Sequence, residues 1–172
     1  ATVEYVDVPG VTKGEGAALV DLPALRGVDA LVHVVRAFES ETVPHPDGSV
    51  DPLRDAKMLE LELILADLAT VERRLERLEA NIKKASKAED VAERTLFLRL
   101  KEALEAETPL REMGMTDEET HRLRGYALLS GKPLLLVANL GEAEIRGATA
   151  FLERSGLAVF ARKPGVALCA VS

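Results

Sequence analysis

Lys132-Pro-Leu-Leu-Leu-Val-Ala-Asn-Leu-Gly-Glu142 is a proline-led apolar run that ends abruptly in a polar turn. Leu134–Ala138 is too short for a helix and apolar on both faces, as a buried parallel strand is. Ala30-Leu-Val-His-Val-Val35 has the same character, and Val166–Ala170 reads as a further strand. Thr2–Val8 alternates with β-branched residues and predicts another, and Leu157–Phe160 a short one. Helical patterns fall between them. Ile145–Ser155 is one, and Thr116-Asp-Glu-Glu119 is a capping box that opens another, expected to end near Gly131. Strands that alternate with helices and are apolar on both sides predict an α/β fold with a parallel sheet.

An excursion interrupts that alternation. From Leu53 to about Ala85, Leu61, Leu65, Leu68, Val71, Leu75, Leu78, Ile82 and Ala85 recur at threes and fours. That is a heptad-like seam. A second helix is expected over Val91–Glu105, with Phe97, Leu100 and Leu104 inward and Pro109 closing it. The pair predicts an antiparallel helical hairpin of coiled-coil character inserted into the sheet domain. The expected division is 1–52 and 113–172 for the sheet part and 53–112 for the hairpin.

Composition narrows the function. The 172 residues are 47% apolar and 30% charged, with Lys+Arg 22 against Asp+Glu 29 and a net charge of −7. An acidic surface disfavours non-specific binding to nucleic acid. Two Tyr, four Phe and no Trp leave few platforms for stacking single-stranded bases. The lone Cys169 excludes an internal disulfide framework. No apolar run approaches the roughly 18 residues of a membrane span, and no leader pattern is present. A cytoplasmic protein without membrane attachment is expected.

In open α/β sheets, ligands bind at the carboxyl ends of the strands. Asp7-Val-Pro-Gly10 ends the first expected strand and has the DxxG pattern of nucleoside triphosphatases. There an Asp serves the Mg2+ shell, and a Gly amide reaches the terminal phosphate because no side chain blocks it. The same residues also suit an ordinary turn. Asn139-Leu-Gly-Glu142 ends another strand, where a side-chain amide and a carboxylate could read a purine edge. Its spacing is that of the guanine reader Asn-Lys-x-Asp, with Leu140 and Glu142 in place of Lys and Asp. Cys169-Ala-Val171 ends the last strand and could lend a supporting backbone amide.

Taken together, these stretches resemble the YchF / Obg-like ATPase family of P-loop NTPases. The resemblance is carried by Asp7–Gly10, Asp29–Phe38, His45-Pro-Asp-Gly-Ser-Val-Asp-Pro52, Leu61–Leu68 and Lys132–Glu142, and by the hairpin's place in the sheet. It implies an internal portion of a G domain that binds and hydrolyses ATP, and in some members GTP, with Mg2+ and in association with ribosomes. It implies that Asp7 serves the Mg2+ shell and Gly10 the γ-phosphate, and that Val11 stands where many GTPases place a Gln. Asn139, Leu140 and Glu142 would form the base pocket, a variant that in the family favours ATP, and Ala170 would give the supporting amide.

Two departures are visible. The 172 residues contain no G-x-x-x-x-G-K-[ST], and the loop after Gly10 is shorter than the family's switch loop. The family's central strand would carry that motif, so the chain is expected to be a piece of a longer protein and inactive alone. The alternative is a non-hydrolysing relative that acts as a binding module through its hairpin.

The remaining polar residues read more plainly. His33 is expected in the core, and His45 and His121 in loop and surface positions. Arg73, Arg74, Arg77, Lys83, Lys84 and Lys87 read as a solvated helical face, or as a contact for RNA or a ribosomal surface.

Overall fold

The computed structural model describes residues 2–8 and 21–172. The chain divides into two compact units, residues 1–59 with 132–172, and residues 60–131.

The first unit is built on a parallel sheet. β1 (Leu31–Arg36), β2 (Leu134–Asn139) and β3 (Val166–Val171) lie in the order β1-β2-β3. Leu31 pairs with Leu134, which pairs with Val166, and Arg36 pairs with Asn139, which pairs with Val171. One sheet face is core: Leu31, Val35, Leu134, Leu136 and Ala138 are all buried. On the other face Val32 and Val34 are 53% and 57% exposed. Side chains alternate across a strand, so each face draws on its own set of residues.

Short helices complete the unit. In α1 (Leu22–Arg26), the Asp21 carboxylate caps the first turn by accepting from the Ala24 amide at 3.1 Å. The Lys132 ammonium donates to the carbonyls of Arg26 and Val28, which ties the segment before β1 to the start of β2. The three-residue turn 145–147 leads into α5 (Ala148–Arg154), and α6 (Leu157–Phe160) follows. Gly156 joins these two helices at φ +78, where a Cβ would also sit 3.0 Å from Leu53 Cδ2.

Two strand expectations fail here. Residues 2–8 form no strand, and Val3, Tyr5 and Val6 are 71%, 82% and 53% exposed. Alternation alone does not hold a strand: its N–H and C=O groups need a ladder partner, and residues 2–8 pair with none of the described strands. Leu157–Phe160 is helical. Leu157 and Phe160 are buried and Val159 is exposed, a spacing of one helical turn that a short apolar run does not reveal.

The second unit is helical. α2 runs Pro52–Lys84, its residues 52–59 counting with the first unit, and α3 runs Ala88–Glu105. Glu72 pairs with Lys101 and Glu79 with Arg94, so the two helices run antiparallel. Val71, Leu75 and Leu78 meet Leu96, Phe97, Leu100 and Leu104 in one apolar core, which Leu110, Leu123 and Leu128 close.

The buried seam of α2 departs from the expected one at its start. Leu61 and Leu65 are 39% and 49% exposed, whereas Glu60, Ile64 and Asp67 are inside. Polar anchors set that face. Glu60 pairs with Arg111, and Asp67 binds the Leu129 and Ser130 amides. These positions lie a helical step away from the leucines that hydropathy selects. Ala85 lies beyond the helix end.

After α3 come a three-residue turn, 110–112, and then α4 (Asp117–Leu123). α4 opens on the expected capping box: Thr116 Oγ1 accepts from the Glu119 amide, and Glu119 Oε2 accepts from the Thr116 amide at 2.9 Å. It stops well short of Gly131. Residues 124–126 tighten into a three-residue turn, and Ala127 takes a left-handed φ of 48. That stop carries Tyr126 onto Glu93 and the Phe97 ring.

Candidate nucleotide-base site

β2 and β3 end together, and the turn after β2 is fixed from three sides. The ladder continues past the strands: the Ala37 amide donates to Asn139 O, and the Leu140 amide to Val171 O, each at 2.8 Å. Leu140 is 2% exposed, so its side chain anchors the turn in the core. The Gly141 amide donates to Glu144 Oε2 at 3.1 Å, and the Glu144 amide donates back to Gly141 O at 2.9 Å. Asn139 is half-buried and Glu142 exposed. Ala170 stands opposite Ala138, one step before the partner of Asn139. Asn139, Leu140, Glu142 and Ala170 are therefore gathered at one sheet end.

Asp7 is exposed in a stretch without a strand, and Gly10 lies outside the described residues, as does Val11. Among the described residues no group of three or more His, Cys, Asp or Glu could hold a metal ion.

Chemically the turn suits recognition more than reaction. A carboxamide offers both a donor and an acceptor, and a carboxylate accepts only. Asn139 and Glu142 can thus address the ring edge and exocyclic amine of a purine.

Several residues that brace this end of the sheet escaped the sequence reading. Arg36, in register with Asn139, donates from Nε to Phe38 O at 2.9 Å and from Nη1 to Val43 O at 2.7 Å. Its guanidinium lies 4.8 Å from the Phe38 ring centre. Further along the loop, Arg54 donates to Ser49 O and Oγ and pairs with Asp55 at 2.9 Å. His45 Nδ1 accepts from the Asp47 amide, so the proton sits on Nε2, which donates to Asp55 Oδ2 at 3.0 Å. His45 is thereby part of the strap that holds the loop 37–51. A cavity of about 500 Å3 opens beside it, lined among others by Phe38, Asp51, Glu144, Phe151 and Arg154.

His33 lies on the core side of β1, as expected. Burial lowers its imidazole to about 4, against a smaller opposing pull from Asp55. Its Nδ1 is buried without a hydrogen-bond partner. Cys169 is half-buried in β3, level with Val137 and Val34.

No family model matches the chain. It is 41% identical over 146 residues to the ribosome-binding ATPase YchF of Bacillus subtilis, covering 83% of this chain and 40% of that protein. It is 31% identical over 137 residues to Obg-like ATPase 1 of Caenorhabditis elegans, covering 80% and 35%. The solved structure of the Schizosaccharomyces pombe YchF GTPase superposes with a TM-score of 0.72 at 25% identity, over 93% of this chain and 44% of that one. The parallel sheet with its helices is the α/β architecture of that P-loop GTPase. The chain spans about two-fifths of the length of the curated relatives it matches.

Proposed function

Because these matches place the chain in the YchF / Obg-like ATPase family, we propose that it is the base-binding portion of a nucleoside triphosphatase that takes ATP or GTP. The observation that carries this reading is the convergence of Asn139, Leu140 and Glu142 on one braced turn, with Ala170 beside it. Leu140 in place of a Lys and Glu142 in place of an Asp favour adenine, as the family's variant does.

Phosphate chemistry in this reading falls to Asp7 and Gly10, with a water attacking the γ-phosphate in line. Asp7 would serve the shell of a Mg2+ ion, which would supply neutralisation of the charge that develops on the phosphates.

The ribosome is the proposed partner, a reading supported by the name of the relatives. The proposed contact is the turn between α2 and α3, where Lys83, Lys84 and Lys87 are all exposed. Reversing those three charges should abolish co-sedimentation with ribosomes, because a phosphate contact depends on them. Unchanged sedimentation removes the hairpin from the reading.

The decisive test is calorimetric titration with Mg·ATP and Mg·GTP of the natural protein that carries this chain. Binding that Asn139→Ala weakens by about tenfold or more is expected, the weight of a bidentate base contact. If neither nucleotide binds, the chain is a binding module and its function lies in the hairpin.

A further inference from the structure

We infer that Glu144 is a positioning residue for base selection: it touches no nucleotide but sets the backbone of the turn that does. The inference rests on the base-binding reading above and names a residue outside the motif that reading uses.

Three observations carry it. First, Glu144 and Gly141 are joined twice, amide to carboxylate and amide to carbonyl, at 3.1 and 2.9 Å. Such a reciprocal pair fixes both the direction of the Gly141 peptide and the chain that follows. Glu144 O in turn accepts from the Gly147 amide at 2.8 Å, which leads the backbone directly into α5. Second, Leu140 is held on the other side by Val171 O and by burial. The turn therefore has one anchor in the core and one in the Glu144 side chain, with Glu142 between Gly141 and its anchor in sequence. Third, Gly141 leaves room for that carboxylate. A Cβ there would lie 2.9 Å from Glu144 Oε2, so the end of the Glu144 side chain would have to shift.

The consequence is chemical. Asn139 and Glu142 discriminate bases only if they meet the purine edge together, and their separation is set by the peptide planes at Leu140 and Gly141. Removing the Glu144 acceptor frees the second of these planes. The expected result is loss of discrimination at nearly constant affinity for the triphosphate common to both nucleotides.

The test uses the natural protein that carries this chain, in four forms: unaltered, Glu144→Ala, Glu144→Gln and Asn139→Ala. Glu153→Ala, an exposed glutamate on α5, serves as the charge control. Kd is measured for ATP and GTP, and hydrogen exchange is followed in the peptide that contains Gly141. Glu144→Ala should reduce the ratio of GTP to ATP Kd by about fivefold, the effect of losing a side-chain cap on an exposed amide, and speed exchange at Gly141. Glu144→Gln keeps an acceptor oxygen and should restore most of both, and Glu153→Ala should change neither.

A ratio left within about twofold by Glu144→Ala, while Asn139→Ala abolishes it, overturns the role of Glu144 and leaves the base site standing. A ratio that Asn139→Ala also leaves unchanged overturns the base site, and this inference with it.

Discussion

Asp67 holds Ser130 twice: its buried carboxylate accepts from the Ser130 amide and from the Ser130 hydroxyl, each at 2.7 Å. The other oxygen accepts from the Leu129 amide at 2.8 Å, and Ser130 Oγ accepts in turn from the Leu110 amide at 3.2 Å. One carboxylate on α2 thus satisfies a segment that no helix or strand could satisfy.

Asp67→Ala strands two buried amides and a hydroxyl, and should cost about 3–5 kcal/mol. Ser130→Ala strands the Leu110 amide and should cost about 1–3 kcal/mol. Because both act through one network, the double variant should cost clearly less than the sum of the two. Urea unfolding of all four proteins measures this; strict additivity would mean that the two residues act separately.

Tyr126 gives the helical unit an alkaline limit. Burial first, and then its bond to Glu93, push the Tyr126 hydroxyl up to about 12 from 10.0. The folded state therefore holds this proton more tightly than the unfolded chain. The stabilisation is complete below pH 10 and is lost as pH rises toward 12. Tyr126→Phe should unfold more easily at neutral pH, by about 1–2 kcal/mol, and should lack this part of the alkaline decline. Thermal melts at a series of pH values, with Tyr5→Phe in both backgrounds, isolate the effect.

At the acid end one contributing group is His33, whose imidazole is held near 4 instead of 6.5. Here the unfolded chain takes up the proton more readily. The stability from a neutral His33 is whole above pH 6.5 and is lost as pH falls through 4. His33→Leu also removes a buried nitrogen that has no partner. It should be more stable than the parent near pH 4–5, by about 1–3 kcal/mol, with the gap narrowing toward pH 7. A constant gap across that range would show that His33 does not titrate on unfolding.

The capping box of α4 is a smaller, local test. Its Thr116 amide first, and Arg99 second, hold the Glu119 carboxyl below the ordinary carboxylate range. Thr116→Ala should cost about 1 kcal/mol. A loss of helical circular dichroism larger than that of the short α4 would show that the cap supports more than its own helix.

The sheet and the hairpin were legible in the sequence because apolar runs and threes-and-fours spacing report burial directly. The turn after β2 was legible as a turn because the apolar run of the strand stops at Asn139 and Gly141 follows. What hydropathy conceals is a polar residue at a buried position. Asp67 and Glu60 displaced the expected seam of α2 because their cost inside is met by hydrogen bonds to residues far along the chain. Arg36, Arg54 and Glu144 were missed for a related reason: their main partners are backbone groups, which every sequence contains. Thr2–Val8 failed the opposite way, with strand-like residues that join no ladder of the described sheet.

β1 and β2 are neighbours in the sheet but about a hundred positions apart in the chain. Left as free coil, that separation would make their pairing slow, because closing a long loop loses entropy before any contact repays it. The intervening unit removes much of the problem. Its helices form from nearby residues, and α2 and α3 meet across a short turn. Once folded, they replace a long flexible tether with a short one. Assembly is therefore expected in the order helices first and sheet second. Destabilising the hairpin should slow the appearance of the sheet even though no strand residue has been changed.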